Sequence, residues 1–202
     1  MSFASMASGT LSFEFDESSP ENELQQHPLF FGQAITEHDG RQWWVFYTKS
    51  RQEKALAHYL RARRVPHYLP LHERQTISRG RRFRSQVPLF GGYLFLFADL
   101  HERITALESN RVARTIDVPH WQHAELCRDL LQVQRLIESG EPLTVESRIQ
   151  PGQRVRVKSS GRLAGLEGIV TKRRGRSRLL ITVNYLQQGA SIEIDDFAVE
   201  IV

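Results

Sequence analysis

Between Lys49 and Arg84, eleven lysines and arginines meet two acids, Glu53 and Glu73, giving a net charge of +9 in 36 residues. The rest of the chain does not share this excess: residues 1–42 carry −6, residues 85–151 carry −3 and residues 152–202 carry +4. So concentrated a block is a surface for a polyanion, because each cation set against a phosphate releases a condensed counterion. Lys49, Arg51, Lys54, His58 and Arg61 fall along the start and the solvent side of a predicted helix. Their contacts to phosphate would position the protein without reading sequence, whereas the amide of Gln52 can pair with a base edge in both directions. Arg79, Arg81 and Arg82 surround Gly80 in a predicted loop or hairpin tip, and Lys172, Arg173, Arg174 and Arg176 form a further basic loop.

Nothing resembling a catalytic constellation accompanies these cations. His58, His67 and His72 are nine and five residues apart with no carboxylate pair at hand, and they read as surface or nucleic-acid-facing groups. Gly161-x-x-x-Gly165-x-x-Gly168 lacks the Gly-Lys-Ser/Thr of a phosphate loop and reads as a turn. The single cysteine, Cys127, excludes an internal disulfide and a multi-cysteine zinc site, and reads as a small buried hydrophobe. The chain is expected to be a binding protein, not an enzyme, with no cofactor and no metal.

The elements that must position these groups follow from periodicity. Residues 1–41, rich in Ser, Glu and Gln, are expected to be a disordered acidic leader. Trp43-Trp44-Val45-Phe46-Tyr47-Thr48 is aromatic and β-branched, hence a strand. Ser50-Arg51-Gln52-Glu53 has the form of a capping box, and Ala55, Leu56, Tyr59 and Leu60 give the helix behind it an apolar face. Val65 to Leu71 and Tyr93 to Phe97 read as strands, His101 to Ser109 as a helix, Arg114 to Val118 as extended, and Trp121 to Ser139 as a long helix closed by Gly140 and Pro142. This order predicts an α+β fold, an α/β sandwich over 42–139, with a linker over 140–151. Residues 152–202 then alternate in short segments at roughly ten-residue spacing, the signature of a small all-β barrel. The longest apolar-looking stretch, Pro88 to Ala98, is 11 residues, against the roughly 20 needed to span a bilayer. With no basic residue before an apolar run at the start, no secretory signal is read and the cytoplasm is the expected compartment; a monomer is expected.

Two segments bring a family into view. The first pairs Trp43-Trp44-Val45-Phe46-Tyr47-Thr48-Lys49 with Pro88-Leu89-Phe90-Gly91-Gly92-Tyr93-Leu94-Phe95. The second pairs Gly152-Gln153-Arg154-Val155-Arg156-Val157 with Gly161-Arg162-Leu163-Ala164-Gly165-Leu166-Glu167-Gly168-Ile169-Val170. Together, over residues 42–202, these resemble the NusG family of transcription elongation factors, an NGN domain followed by an SH3-like KOW barrel. The opening Tyr47-Thr48-Lys49-Ser50-Arg51-Gln52 and the run Val87 to Phe95 are similar to the specialised RfaH-type paralogues. Two departures stand out. Gly91-Gly92 replaces the usual Pro-Gly or Pro-Asn, and His101-Glu102-Arg103-Ile104-Thr105 matches poorly the polar motif that some paralogues set against the polymerase's second large subunit.

The resemblance implies a transcription elongation or antitermination factor. Its NGN domain would bind the clamp helices of the largest RNA polymerase subunit and touch the non-template DNA strand. Tyr47, Phe90 and Tyr93 are the implied members of the polymerase patch, with Trp44 and Phe46 as core or patch edge. The KOW domain would recruit a ribosomal small-subunit protein, the Rho terminator or RNA, with Leu163, Leu166 and Tyr185 as candidate contacts. A ribosome- or RNA-binding KOW protein with no polymerase partner is the alternative. Strand-like alternation and repeated glycines across 152–202 predict a KOW domain that keeps its barrel form, open on a flexible linker.

Overall fold

Strand alternation along Gln42–Thr48 (β1) sends Trp43 and Val45 to one side and Trp44 and Phe46 to the other, and all four are buried. The computed structural model describes residues 40–78, 80–146, 152–158, 162–173, 176–194 and 199–202. Residues 1–39 of the expected acidic leader and Arg79 lie outside the described residues, as do Gly161, Arg174 and Gly175, while Arg41, at the leader's end, is held by Glu102. The chain continues through Glu53–Ala62 (α1), His67–Tyr68 (β2), Leu71–Ser78 (β3), Arg81–Pro88 (β4), Tyr93–Ala98 (β5), Leu100–Glu108 (α2), Val112–Asp117 (β6) and His123–Glu138 (α3). The central sheet runs β2-β5-β1-β6, antiparallel, with Val45 opposite both Phe95 and Ile116.

Both faces of this sheet are covered, which explains why β1 is apolar on both sides. Leu56, Ala57 and Leu60 of α1, with Ala106 of α2, cluster with Trp44, Phe46, Leu94 and Leu96. Leu126, Leu130, Val133 and Leu136 of α3 recur at helical spacing and cluster with Trp43, Val45, Phe95 and Tyr68. Burial of each such side chain is worth about 1.5–3 kcal/mol relative to exposure. The Tyr68 hydroxyl donates to Gln134 Oε1 at 2.7 Å and ties α3 to the β2 edge.

Two local expectations change. The N-cap of α1 is Gln52 and not Ser50, its side chain makes no capping hydrogen bond, and the Glu53 carboxylate accepts the Gly92 N–H at 2.7 Å. The complete capping box lies at α2, where Asp99 accepts from Glu102 N and Glu102 accepts from Asp99 N. The expected strand over Val65–Leu71 divides at Leu69-Pro70, because proline has no N–H for a ladder; β3 then pairs only with β4, as a two-stranded ribbon.

The C-terminal part holds Thr144–Glu146 (β7), Gln153–Val157 (β8), Glu167–Arg173 (β9), Arg176–Val183 (β10), Gln188–Glu193 (β11) and Val199–Ile201 (β12). These form one antiparallel sheet in the order β12-β8-β9-β10-β11-β7 around Val155, Val157, Leu179, Ile181, Val183 and Ile192. The strand form expected of this segment is present. Part of the expected linker is not free, since Thr144, Val145 and Glu146 pair with Ser191, Ala190 and Gly189. The β-rich part is also not open: β10 and the turn at Asn184–Leu186 lie against α3. No described helix is long and apolar enough to cross a membrane.

Candidate functional site

The last outward-facing position of β1 is Tyr47, 42% exposed where its inner neighbours are fully covered. It stands opposite Tyr93 of β5 and Arg114 of β6, so a ring, a ring and a guanidinium cross three strands in one row. The two tyrosine rings meet edge to face, 5.2 Å between centroids at 66°. Below them the turn Phe90–Tyr93 closes with Tyr93 N–H donating to Phe90 O at 3.1 Å, and Gly92 takes φ +84°. A Cβ at Gly92 would stand 2.8 Å from Cε2 of Tyr47, so the second glycine of Gly91-Gly92 serves both the backbone and the ring above it.

The other aromatic candidates are core. Phe90 is 0% exposed and stacks edge-on to Phe95, with centroids 6.5 Å apart, because the turn directs it beneath the sheet. Phe46 is 0% exposed under α1. Trp44 is buried beside it, with Nε1 donating to Ala98 O at 3.1 Å and the Arg103 guanidinium over its ring. An exposed aromatic row along β1 required one uncovered sheet face, and α3 covers that face. The aromatics left at the surface are therefore Tyr47, exposed, and Tyr93, half-buried beside it.

Glu53 ties the Gly92 turn to the start of α1, which brings the basic groups beside the tyrosines. Lys49 and Arg51 are exposed in the turn between β1 and α1, Arg51 with φ +57° and Lys49 Nζ donating to Asn110 Oδ1 at 2.9 Å. Gln52 caps the helix by position and is half-buried. Lys54, His58 and Arg61 are four and three residues apart on the side of α1 opposite Leu56, Ala57 and Leu60. His67 does not join them: it is buried, with Nδ1 2.8 Å from Val65 O. Burial and the neighbouring Arg74 push the His72 imidazole below its usual range, so it adds no charge near neutral pH.

Arg81 and Arg82 lie on β4, exposed, with Arg74 and Arg84 further along the same ribbon. Ser78 pairs with Arg81 at the end of the ribbon, and Gly80 takes the φ of +75° that tight hairpin turns favour. The stretch that matches the polymerase-contacting motif poorly is engaged within the fold: Glu102 caps α2 and accepts two guanidinium hydrogen bonds from Arg41, at 3.0 and 2.9 Å.

The KOW candidates face inward. Leu166 is 0% exposed, Leu163 packs against the same apolar cluster, and the Tyr185 hydroxyl donates to Asp117 O at 2.7 Å. Around them α3 meets the β-rich domain through polar contacts that sequence patterning did not reveal. Asp129 Oδ2 accepts the Asn184 N–H at 2.9 Å, Glu125 Oε1 accepts from Asn184 Nδ2 at 3.0 Å, and Arg135 donates to Ala164 O. Burial raises the Asp129 carboxyl to about 6, reinforced by Glu125 and opposed by the Asn184 hydrogen bond, Arg128 and Arg154.

A carboxyl raised above its free value binds more protons when docked, so the contact strengthens on acidification from pH 6 toward pH 4 and weakens as pH rises through 6. Asp129→Asn keeps an acceptor for the Asn184 N–H and removes the charge. We expect it to increase the docked fraction at pH 7 and to abolish the pH 4–6 dependence. Amide chemical shifts of Asn184 and Tyr185 across that range check the result.

These parts define an α+β protein: a helix-covered sheet presenting an aromatic pair beside a basic helix, joined to a β-rich C-terminal region. The model of the family described as "Transcription termination factor nusG" matches residues 41–149, more than half of the chain, and the chain belongs to the NusG family of transcription factors. No curated protein matches it. Among solved structures, one described as "Domain interaction in Thermotoga maritima NusG" is similar at 16% identity and a TM-score of 0.42, over 80% of this chain and 97% of that one.

Proposed function

We propose that this chain is a transcription elongation and antitermination factor of the specialised, RfaH-like kind, which binds the clamp helices of RNA polymerase. The observation that carries the reading is the Tyr47–Tyr93 pair, an exposed ring edge to face with a half-buried one at the end of a sheet that is otherwise covered. Two aromatic rings flanked by Arg114 offer amphipathic anchors of the kind that dominate protein interfaces. From there Lys49, Arg51, Gln52, Lys54, His58 and Arg61 extend along the non-template strand, and Arg81 and Arg82 reach nucleic acid from the ribbon. A protein seated on the clamp and the displaced strand together disfavours clamp opening and so shortens pauses. The β-rich domain recruits a ribosomal small-subunit protein or Rho once it leaves α3, because Leu163 and Tyr185 are engaged while it is docked.

The helix contribution is tested by combining Lys49→Ala, Arg51→Ala and Lys54→Ala. Each lost phosphate contact should flatten the salt dependence of binding to a polymerase–bubble complex by about 0.7 in log–log slope. An unchanged slope with unchanged pausing would assign this face to solvent.

A further inference from the structure

The β3–β4 ribbon has two unlike faces. Its register sets Arg74 opposite Ser85, Thr76 opposite Phe83 and Ser78 opposite Arg81, so these six side chains share one face. The opposite face carries Glu73, Gln75, Ile77, Arg82 and Arg84. There the cationic charge is partly neutralised: Arg84 lies 3.6 Å from Glu73, which also accepts from Gln75 Nε2 at 3.2 Å. The first face contains no acid. At its centre the Phe83 ring is 52% exposed, between Arg81 and the Arg74–Ser85 pair.

A solvated arginine needs no neighbouring ring, and an isolated ribbon gains no core from one. Phenylalanine exposed between guanidinium groups instead matches the two chemistries of an unpaired nucleotide, a π face and a phosphate. Bases inside a duplex offer no free face to a ring, whereas splayed single strands do. We propose that the Phe83 face of the ribbon binds single-stranded nucleic acid, with Phe83 stacking on an unpaired base and Arg74 and Arg81 holding the flanking phosphates. The proposal rests on the reading of the chain as a factor working beside opened DNA. It adds which face of the ribbon is used and which residue meets a base; Arg82, on the other face, becomes secondary.

The full-length protein is titrated against a fluorescently labelled 20-residue oligothymidylate and a 20-base-pair duplex. Phe83→Leu, which keeps bulk and loses the ring, should weaken single-strand binding about tenfold, leave its salt slope unchanged, and barely affect duplex binding. Phe83→Trp should restore or exceed the parental affinity. Arg74→Ala with Arg81→Ala should flatten the slope by about 1.4, two contacts at about 0.7 each, and should cost more affinity than Arg82→Ala with Arg84→Ala. Phe83→Leu within twofold of the parent, an equal loss on duplex, or a larger loss from the Arg82/Arg84 pair overturns the proposal. Polymerase capture by the same Phe83→Leu protein is measured alongside. It depends on Tyr47 and Tyr93 on other strands, so capture that persists through a negative oligonucleotide result removes this proposal alone.

Discussion

Tyr47→Ala combined with Tyr93→Ala should reduce affinity for RNA polymerase by two orders of magnitude or more, with circular dichroism and melting temperature close to those of the parent. Aromatic residues central to an interface cost about 2 kcal/mol or more each on truncation, and two of them together exceed a hundredfold. The fold should tolerate the change because Tyr47 is 42% exposed and Tyr93 is only partly buried, while Trp43, Val45 and Phe95 hold the sheet beneath them. Pull-down of polymerase by the purified double variant reads the effect. A variant that unfolds, or one that still captures polymerase at parental affinity, would remove the aromatic pair from the account.

Phe90→Ala should do the opposite. This side chain is 0% exposed and stacks on Phe95, so its loss leaves a cavity beneath the turn that carries Gly92. Fully buried phenylalanines cost about 3–5 kcal/mol on truncation to alanine, a large share of the stability of a small domain. The denaturant midpoint should fall accordingly, and the folded fraction should keep polymerase affinity wherever the Gly92 turn holds. A midpoint shift worth under about 1 kcal/mol, with polymerase binding lost, would return Phe90 to the interface. The two experiments thus separate neighbouring aromatics into anchor and core.

Much of this architecture was legible in the sequence because periodicity reports burial. The helix over Trp121–Ser139, the strands at Trp43–Thr48 and Tyr93–Phe97 and the alternating segments after residue 152 all formed close to their expected bounds. What periodicity could not report is which element covers which face. Trp43 and Trp44 have equal claim to exposure on a strand; only the placement of α3 over the Trp43 side shows that both faces are dry. The long ribbon was missed because Gln75-Thr76-Ile77-Ser78 and Arg81-Arg82-Phe83-Arg84 have no sustained apolar alternation. A ribbon that is buried only at its base, around Leu71, and exposed from Glu73 to Ser78 and from Gly80 to Ser85 leaves no such trace.

The docking of the β-rich domain was invisible for a related reason. Its contacts combine an apolar cluster shared with α3 and single polar groups such as Asp129, Asn184 and the Tyr185 hydroxyl; an apolar helix stripe does not name the element that covers it, and a carboxylate on a helix reads as solvent-facing until its partner is placed. The expectation of an open second domain therefore gives way to a docked one that keeps its strands. The poor match of His101–Thr105 to the polymerase-contacting motif was legible in the sequence; that Glu102 holds Arg41 and the helix cap was not, because only the fold brings Arg41 to it.

The account rests on the Tyr47–Tyr93 row being the surface that meets polymerase. A photoreactive phenylalanine analogue at position 47 of the full-length protein, activated in lysate and followed by identification of the cross-linked chain, addresses that directly. Cross-linking to the clamp helices of the largest RNA polymerase subunit is the predicted result, weakened when a competing clamp-binding factor is added in excess. Cross-links to ribosomal proteins without any polymerase subunit would contradict it.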